Sequence, residues 1–291
     1  AHKAALSAVV LLALVCASIW SGVYAEAPHA PGVLTFAVLD VGQGDALYIE
    51  SPTGVQVLVD AGPDERVLRS LAEVMPALDR SLDAIIATHP DADHIGGFAT
   101  LVERYDIGAY LSPGIRKDTA TAQALERVVD ARRIPRIIAR RGMVLDLGDG
   151  AVLEVLYPDF DVAALPGEKA NEGGIVARVR YGASEALLMA DVGKGVESRL
   201  LQLEAGALKS DVLKVSHHGS RFSSTEAFLS AVHPAIAVIS VGERNTYGHP
   251  TKQTLERLTA AGASVLRTDE KGTVRCVSDG AKFSCGGEVA R

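Results

Sequence analysis

Two packed β-sheets with helices on their outer faces form the α/β architecture that this sequence predicts. Short apolar runs of strand length recur through the chain, and segments of helical spacing follow each cluster of them. With 291 residues, 48% hydrophobic and 22% charged, the chain can bury a large core. In order, residues 33–41 and 46–50 read as strands joined by the turn Gly42-Gln43-Gly44-Asp45, and 55–60 as a third strand. Residues 66–78 carry helical spacing, 82–88 form an apolar run of buried-strand type, and 98–105 and 119–131 read as helices. Strands are expected at 134–139, 143–147 and 152–157, with a hairpin of 175–181 and 185–190 across Gly182. The spacing then predicts helices at 193–203, 224–232 and 251–261, alternating with strands at 212–216 and 236–241, and further strands to the end. No tandem repeat or low-complexity tract interrupts the pattern.

Residues 4–25 stand apart as an uncharged, apolar run between Lys3 and Glu26. At ~1.5 Å per residue such a helix spans a bilayer core of ~30 Å. Val23-Tyr24-Ala25 is also a small-x-Ala cleavage pattern, so 1–26 reads either as a transmembrane helix or as a signal segment. A Pro-containing linker at 27–32 then leads into one domain over 33–291. Either reading places that domain on the extracytoplasmic side of a bacterial-type membrane, and Lys3 before the run agrees with this orientation. The chain opens on Ala1 rather than Met, which fits a segment of a longer polypeptide. Cys16 lies inside the apolar run and reads as inert. Cys276 and Cys285 flank the turn signal Ser278-Asp279-Gly280-Ala281, so a hairpin would set them opposite one another. An oxidising compartment favours a disulfide there; the alternative is two free thiols. The formal net charge of −7 gives no global attraction to nucleic acid. A polyanionic substrate would need a local basic patch or bound metal.

The densest chemistry lies in His89-Pro90-Asp91-Ala92-Asp93-His94, directly after the apolar run at 82–88. Four metal-ligand side chains within six residues at the end of a buried strand are costly unless paired or coordinated. In an extended segment alternate residues share a direction, so His89, Asp91 and Asp93 would converge. Gly96 and Gly97 permit the tight passage into the next helix.

This run resembles the His-x-His-x-Asp-His motif of the metallo-β-lactamase superfamily. With Asp91 in the third position it is most similar to the C-terminal hydrolase-like domain of the ComEC family of competence DNA-uptake proteins. Further matches follow in order: Leu39-Asp40-Val41-Gly42-Gln43-Gly44-Asp45-Ala46, Asp60-Ala61-Gly62, and Asp191 after Leu187-Leu188-Met189-Ala190. Then come Lys214-Val215-Ser216-His217-His218-Gly219-Ser220 and Tyr247-Gly248-His249-Pro250. The resemblance runs from about residue 33 to the end. It implies a four-layer αβ/βα sandwich, and likens the apolar leader to the last membrane helix before that domain.

By the same resemblance, Asp93, His94 and His218 form one metal site, and Asp191 bridges to a second site with His89 and Asp91. One or two divalent ions would activate water and steady charge on a phosphoryl oxygen. His217 or His249 would donate a hydrogen bond or a proton to the leaving oxygen. Asp60 and Asp45 are expected to orient the motif without touching metal. Of His217 and His218 one is a ligand, taken as His218. Lys214 and Arg221 are placed to meet substrate phosphates, with Ser220 beside them. One departure stands out: no His occurs between His94 and His217, and Asn171 sits where the superfamily carries one. The resulting oxygen-rich site suits Mn²⁺ or Mg²⁺ better than Zn²⁺, and Mn²⁺ is the expected ion.

Arg132, Arg133, Arg136, Arg140 and Arg141 form the most basic stretch, either a DNA-backbone contact or a solvated face balanced by acids such as Asp130 and Asp146. His233 reads as structural, and His2 and His29 fall before the domain. Three functions fit. The leading one is a nuclease-like domain of a DNA-uptake membrane protein, acting on the strand that is not transported. Its implied partners are single- or double-stranded DNA, the membrane through residues 4–25, and other DNA-uptake proteins. The others are a secreted or anchored hydrolase of a small substrate, and a DNA-binding scaffold whose incomplete metal pair no longer catalyses.

Overall fold

The structure, a computed structural model, describes residues 32–287 and, apart from them, Leu14. Leu14 aside, the leader at 4–25 and nearly all of the 27–32 linker lie outside the described residues. Among the described residues no helix is long and apolar enough to cross a membrane.

Two large sheets face each other. The first has eight strands in the spatial order Phe283–Gly287, Val274–Ser278, Leu34–Val38, Leu47–Glu50, Gln56–Val59, Ala84–Ile86, Tyr110–Ser112 and Arg136–Ile138. The second has seven, ordered Ser264–Arg267, Ile236–Ile239, Val212–Lys214, Ser184–Leu188, Val176–Tyr181, Ala151–Tyr157 and Val144–Gly148. Inner strands such as Leu34–Val38 and Ala84–Ile86 are buried on both faces, which explains their largely apolar composition. Phe36, Val38, Val57, Val59 and Ile86 of the first sheet pack against Leu153, Val155, Val179, Leu188 and Val238 of the second. The alternate residues Ala37, Leu58 and Ile85 point the other way, onto Leu71, Phe98, Leu101 and Leu125 of the helices Arg66–Ala72, Phe98–Arg104 and Ala120–Ala131. Leu187, Leu213 and Ile239 likewise meet Val196, Leu200, Phe228 and Leu258 of the helices Lys194–Leu203, Glu226–Val232 and Lys252–Ala260. Each such large side chain contributes about 1.5–3 kcal/mol on burial. The result is the helix–sheet–sheet–helix sandwich that the sequence predicts. Cys276 and Cys285 are register partners on the terminal hairpin and are joined by a disulfide.

Local differences have local causes. The helix expected over 66–78 ends at Ala72, because Pro76 cannot continue it and disfavours helical backbone before it. The run at 82–88 divides into Ser81–Leu82, which pairs with Asp106–Ile107, and the core strand Ala84–Ile86. The strand Tyr110–Ser112, between Gly108 and Pro113, is too short to show a period.

Parallel pairing positions the site. Gln56–Val59 runs parallel to Ala84–Ile86, and Ser184–Leu188, Val212–Lys214 and Ile236–Ile239 run parallel to one another. Their C-terminal ends therefore emerge on common edges, followed by Asp60, His89, Asp191, His217-His218 and Ser240. Open α/β sheets bind ligands at such edges.

Candidate metal centre

Past the Ala84–Ile86 strand the chain bends at Thr88 and His89, is extended at Asp91, and then turns into the short helix Ala92–Ile95. This corrects the expectation of a wholly extended motif: the His94 and Ile95 amides both donate to the Asp91 carbonyl, 3.0 Å away. His89 thus leaves from a bend and Asp91 from extended backbone, whereas Asp93 and His94 leave from a helical turn. The two glycines that follow are required by crowding. A Cβ at Gly96 would lie 2.0 Å from the Pro63 carbonyl oxygen, and one at Gly97 would lie 2.3 Å from that of Ala61. Four non-glycine residues here, Asp60, Ala190, His217 and His218, hold φ between 45° and 59°. Such left-handed backbone costs of order 1–3 kcal/mol per residue and persists where the surroundings over-determine it. Part of that constraint is the His217 amide, which donates to the Ala190 carbonyl at 3.0 Å.

Asp93, His94, Asp191 and His218 converge, with one ligand atom from each lying within 4.8 Å of all the others. Asp191 Oδ2 is 3.4 Å from His94 Nε2 and 3.5 Å from His218 Nε2, and Asp93 Oδ2 is 3.5 Å from His218 Nε2. The hydrogen bonds behind the rings fix their tautomers. His218 Nδ1 donates to the Ser240 carbonyl at 2.9 Å, which can only accept. His94 Nδ1 donates to Asp60 Oδ2 at 2.7 Å. The Thr88 hydroxyl donates to that same oxygen at 2.7 Å, so it accepts from His89 Nδ1 at 3.0 Å. All three rings therefore turn Nε2 away from these supports, where it can bind a cation once any proton on it has left. Those three Nε2 atoms and Asp191 Oδ1 are buried with no hydrogen-bond partner among the described residues. Orphaned buried groups of ligand type are costly, and a divalent cation satisfies them. The donor set fits a metal ion.

Asp60 also accepts from the Thr88 amide at 2.8 Å, so three donors reach one buried carboxyl. Burial pushes its pKa up, and the His94 ring pulls it back. Burial disfavours charge on His94 and His218, but Asp191 outweighs it, aided by Asp60 at His94 and by Asp45 at His218, and holds both rings well above their usual value. The Asp191 carboxyl is likewise burdened by burial and held well below its usual value by His218 and His94.

A pH-linked prediction follows. In metal-free protein at pH 7 both rings keep a proton on Nε2, and a cation must expel it, so binding should release about two protons. Raised histidine pKa values stabilise the metal-free fold fully below pH ~6.5, an effect lost as pH rises through the folded values. The depressed Asp191 contributes above pH ~3.8, an effect lost in acid. Metal affinity should rise with pH above neutrality. Calorimetry in buffers of different ionisation enthalpy checks this, and buffer-independent heats would refute it.

The remaining residues fall around this cluster. His89 is buried with its ring 4.1 Å from that of His94, but Asp91 Oδ2 is 4.0 Å from His89 Nε2 and Asp91 Oδ1 accepts from Lys117 at 2.7 Å. Asn171 sits half-buried on the turn Gly167–Gly173, whose far end is tied to the His89 segment by the Ile175 amide donating to the Thr88 carbonyl at 3.0 Å. His217 is one-third exposed, with Nε2 3.7 Å from Asp191 Oδ2. His249 lies 5.7 Å from the His217 ring, and burial followed by His217 lowers its pKa. Tyr247, 70% exposed, stacks on His249.

Lys214 requires a correction. It is 1% exposed and forms a buried ion pair with Asp45, so it cannot reach a substrate phosphate. Its strand is an inner member of the second sheet, covered by the first sheet on one face and by the outer helices on the other, which a sequence does not reveal. Asp45 in turn lies 3.4 Å from His218 Nδ1, and Lys214 and His218 together overcome burial to hold its carboxyl well below the usual range. Ser220 is buried too, its carbonyl accepting from Ser223 and Thr254 hydroxyls. Arg221 is exposed with its guanidinium 4.8 Å above the Phe222 ring. In the basic run, Arg136 pairs with Glu126 and Asp130, Arg140 with Asp161, and Arg141 with Glu204, which supports the solvated-face reading. Sequence reasoning missed Thr88, Ser240 and Lys117. Adjacency to His89 could have flagged Thr88; nothing in the sequence singles out the other two.

The model of the Metallo-beta-lactamase superfamily matches residues 39–243. ComE operon protein 3 of Bacillus subtilis (strain 168) is 32% identical over 258 residues, covering 82% of this chain and 32% of that protein. Competence protein ComA of Neisseria gonorrhoeae is 30% identical over 242 residues, covering 82% of this chain and 31% of that protein. The chain thus spans about a third of the length of these curated relatives. Among solved structures, Igni18, a metallo hydrolase from Ignicoccus hospitalis, shares the fold with a TM-score of 0.53 at 16% identity, over 84% of this chain and 98% of that one. With its carboxylates and histidines gathered at one edge of two packed sheets, the chain is related to competence proteins and belongs to the metallo-beta-lactamase superfamily.

Proposed function

We propose that this domain hydrolyses DNA phosphodiester bonds with a divalent metal, Mn²⁺ in preference to Zn²⁺ or Mg²⁺. The observation that carries the reading is the convergence of Asp93, His94, Asp191 and His218, with buried Nε2 atoms that have no hydrogen-bond partner among the described residues. Metal held there supplies an activated water and electrostatic stabilisation of the phosphoryl oxygens. Asp191 lies within reach of both imidazoles and of His217, so it is the shared carboxylate. Asp93 adds a second carboxylate that can orient water. His217, partly exposed beside Asp191, is the proton donor to the leaving oxygen, and His249 steadies that oxygen as a neutral ring. Asp91 and Asn171 make the second metal position oxygen-rich, which favours Mn²⁺.

Two features support a polynucleotide substrate. The exposed ring of Tyr247 stacks on His249, and Phe222, also exposed, carries the Arg221 guanidinium four residues beyond His218. Aromatic and guanidinium surfaces of this kind stack nucleobases. The match to a relative named as a competence protein supports our reading that the substrate is DNA, taken as the strand not transported during uptake. On that reading the domain works on the extracytoplasmic side of a bacterial membrane, held by the apolar segment at 4–25 and beside other uptake proteins. The test offers manganese-loaded protein labelled single-stranded DNA, duplex DNA, a small phosphodiester and a β-lactam. DNA should be cleaved with the highest kcat/KM. Turnover of the small substrates alone would favour the small-substrate hydrolase, and no turnover with retained DNA binding the scaffold.

A further inference from the structure

Asp91 is shared between two claims. Its Oδ1 accepts from Lys117 Nζ at 2.7 Å, while its Oδ2 faces His89 Nε2 at 4.0 Å. Lys117 lies between the strand Tyr110–Ser112 and the helix Ala120–Ala131, with its side chain 28% exposed. Its stem is braced by the turn that carries Asn171: a Cβ added at Gly167 would stand 3.2 Å from Lys117 Cγ. By contrast, the ion-pair partners of Asp93 and Asp191 are histidines, whose protons a cation displaces. A lysine ammonium has no lone pair to offer a metal and repels it.

We infer that Lys117 competes with a second metal ion for Asp91 and so makes the two metal positions unequal. The first position has His94, His218 and Asp93 to itself and shares only Asp191. The second has His89 Nε2, an Asp91 carboxylate already neutralised by Lys117, and a share of Asp191. The second ion is therefore the weaker one, and Lys117 sets how much weaker.

The inference rests on the metal-dependent reading above, but its test counts ions rather than turnover. Mn²⁺ is titrated into the metal-free full chain by calorimetry, with electron paramagnetic resonance for coupled manganese pairs. Wild type should bind one ion at least about tenfold more tightly than the second. Lys117→Gln should close that gap by about tenfold and leave the first ion unchanged, and Lys117→Arg, which keeps the charge, should preserve it. Two equal ions in wild type, an unchanged gap in Lys117→Gln, or a gap closed by Lys117→Arg would each overturn the inference. Equal ions with DNA cleavage intact would sink this inference alone; unequal ions without cleavage would sink the nuclease reading alone.

Discussion

Asp191→Asn is expected to lower metal-dependent DNA cleavage on the order of a thousandfold, the scale of losing a central electrostatic group. The carboxylate lies 3.4–3.7 Å from ring nitrogens of His94, His217 and His218. Its loss removes a metal donor and also the charge that holds His94 and His218 protonated in the metal-free state. The variant should therefore bind metal more weakly and release fewer protons on binding. Steady-state cleavage and metal titration on the same preparation separate these effects. A variant with normal metal affinity and normal cleavage would remove Asp191 from the centre.

Asp45→Ala should destabilise the fold by about 3–5 kcal/mol, because it leaves the Lys214 ammonium buried without a partner. Both side chains are 1% exposed. Pairing the substitution with Lys214→Met should recover most of the loss, since two apolar groups carry no unpaired charge. Denaturant unfolding of the two single variants and the double variant gives the coupling directly. Additive losses would show that the pair contributes no specific interaction. Because Asp45 also lies near His218, the double variant should bind metal less tightly than wild type even where it folds as well.

Much of the centre is readable in the sequence because its chemistry is locally dense. His89, Asp91, Asp93 and His94 occur within six residues, and Asp191 and His218 each follow an apolar strand. The inner strands are legible because, buried on two faces, they are largely apolar. What sequence hides is direction and enclosure. The helical turn at Ala92–Ile95 has no period of its own; it is set by Asp91 ending an extended segment and by two glycines pressed against the Pro63 and Ala61 carbonyls. Lys214 reads as a phosphate contact by sequence neighbourhood, but its partner Asp45 is 169 residues away. Lys117 and Ser240 reach the site only through tertiary packing, so no local pattern marks them.

The central claim is that this cluster, once loaded with metal, cuts DNA. The most direct measurement adds Mn²⁺ to metal-free protein and follows end-labelled single- and double-stranded DNA, with His218→Ala and Asp93→Ala alongside. The account predicts cleavage that appears with Mn²⁺, is removed by chelation and is lost in both variants. Intact DNA under every condition, in protein shown by titration to hold its metal, would contradict it.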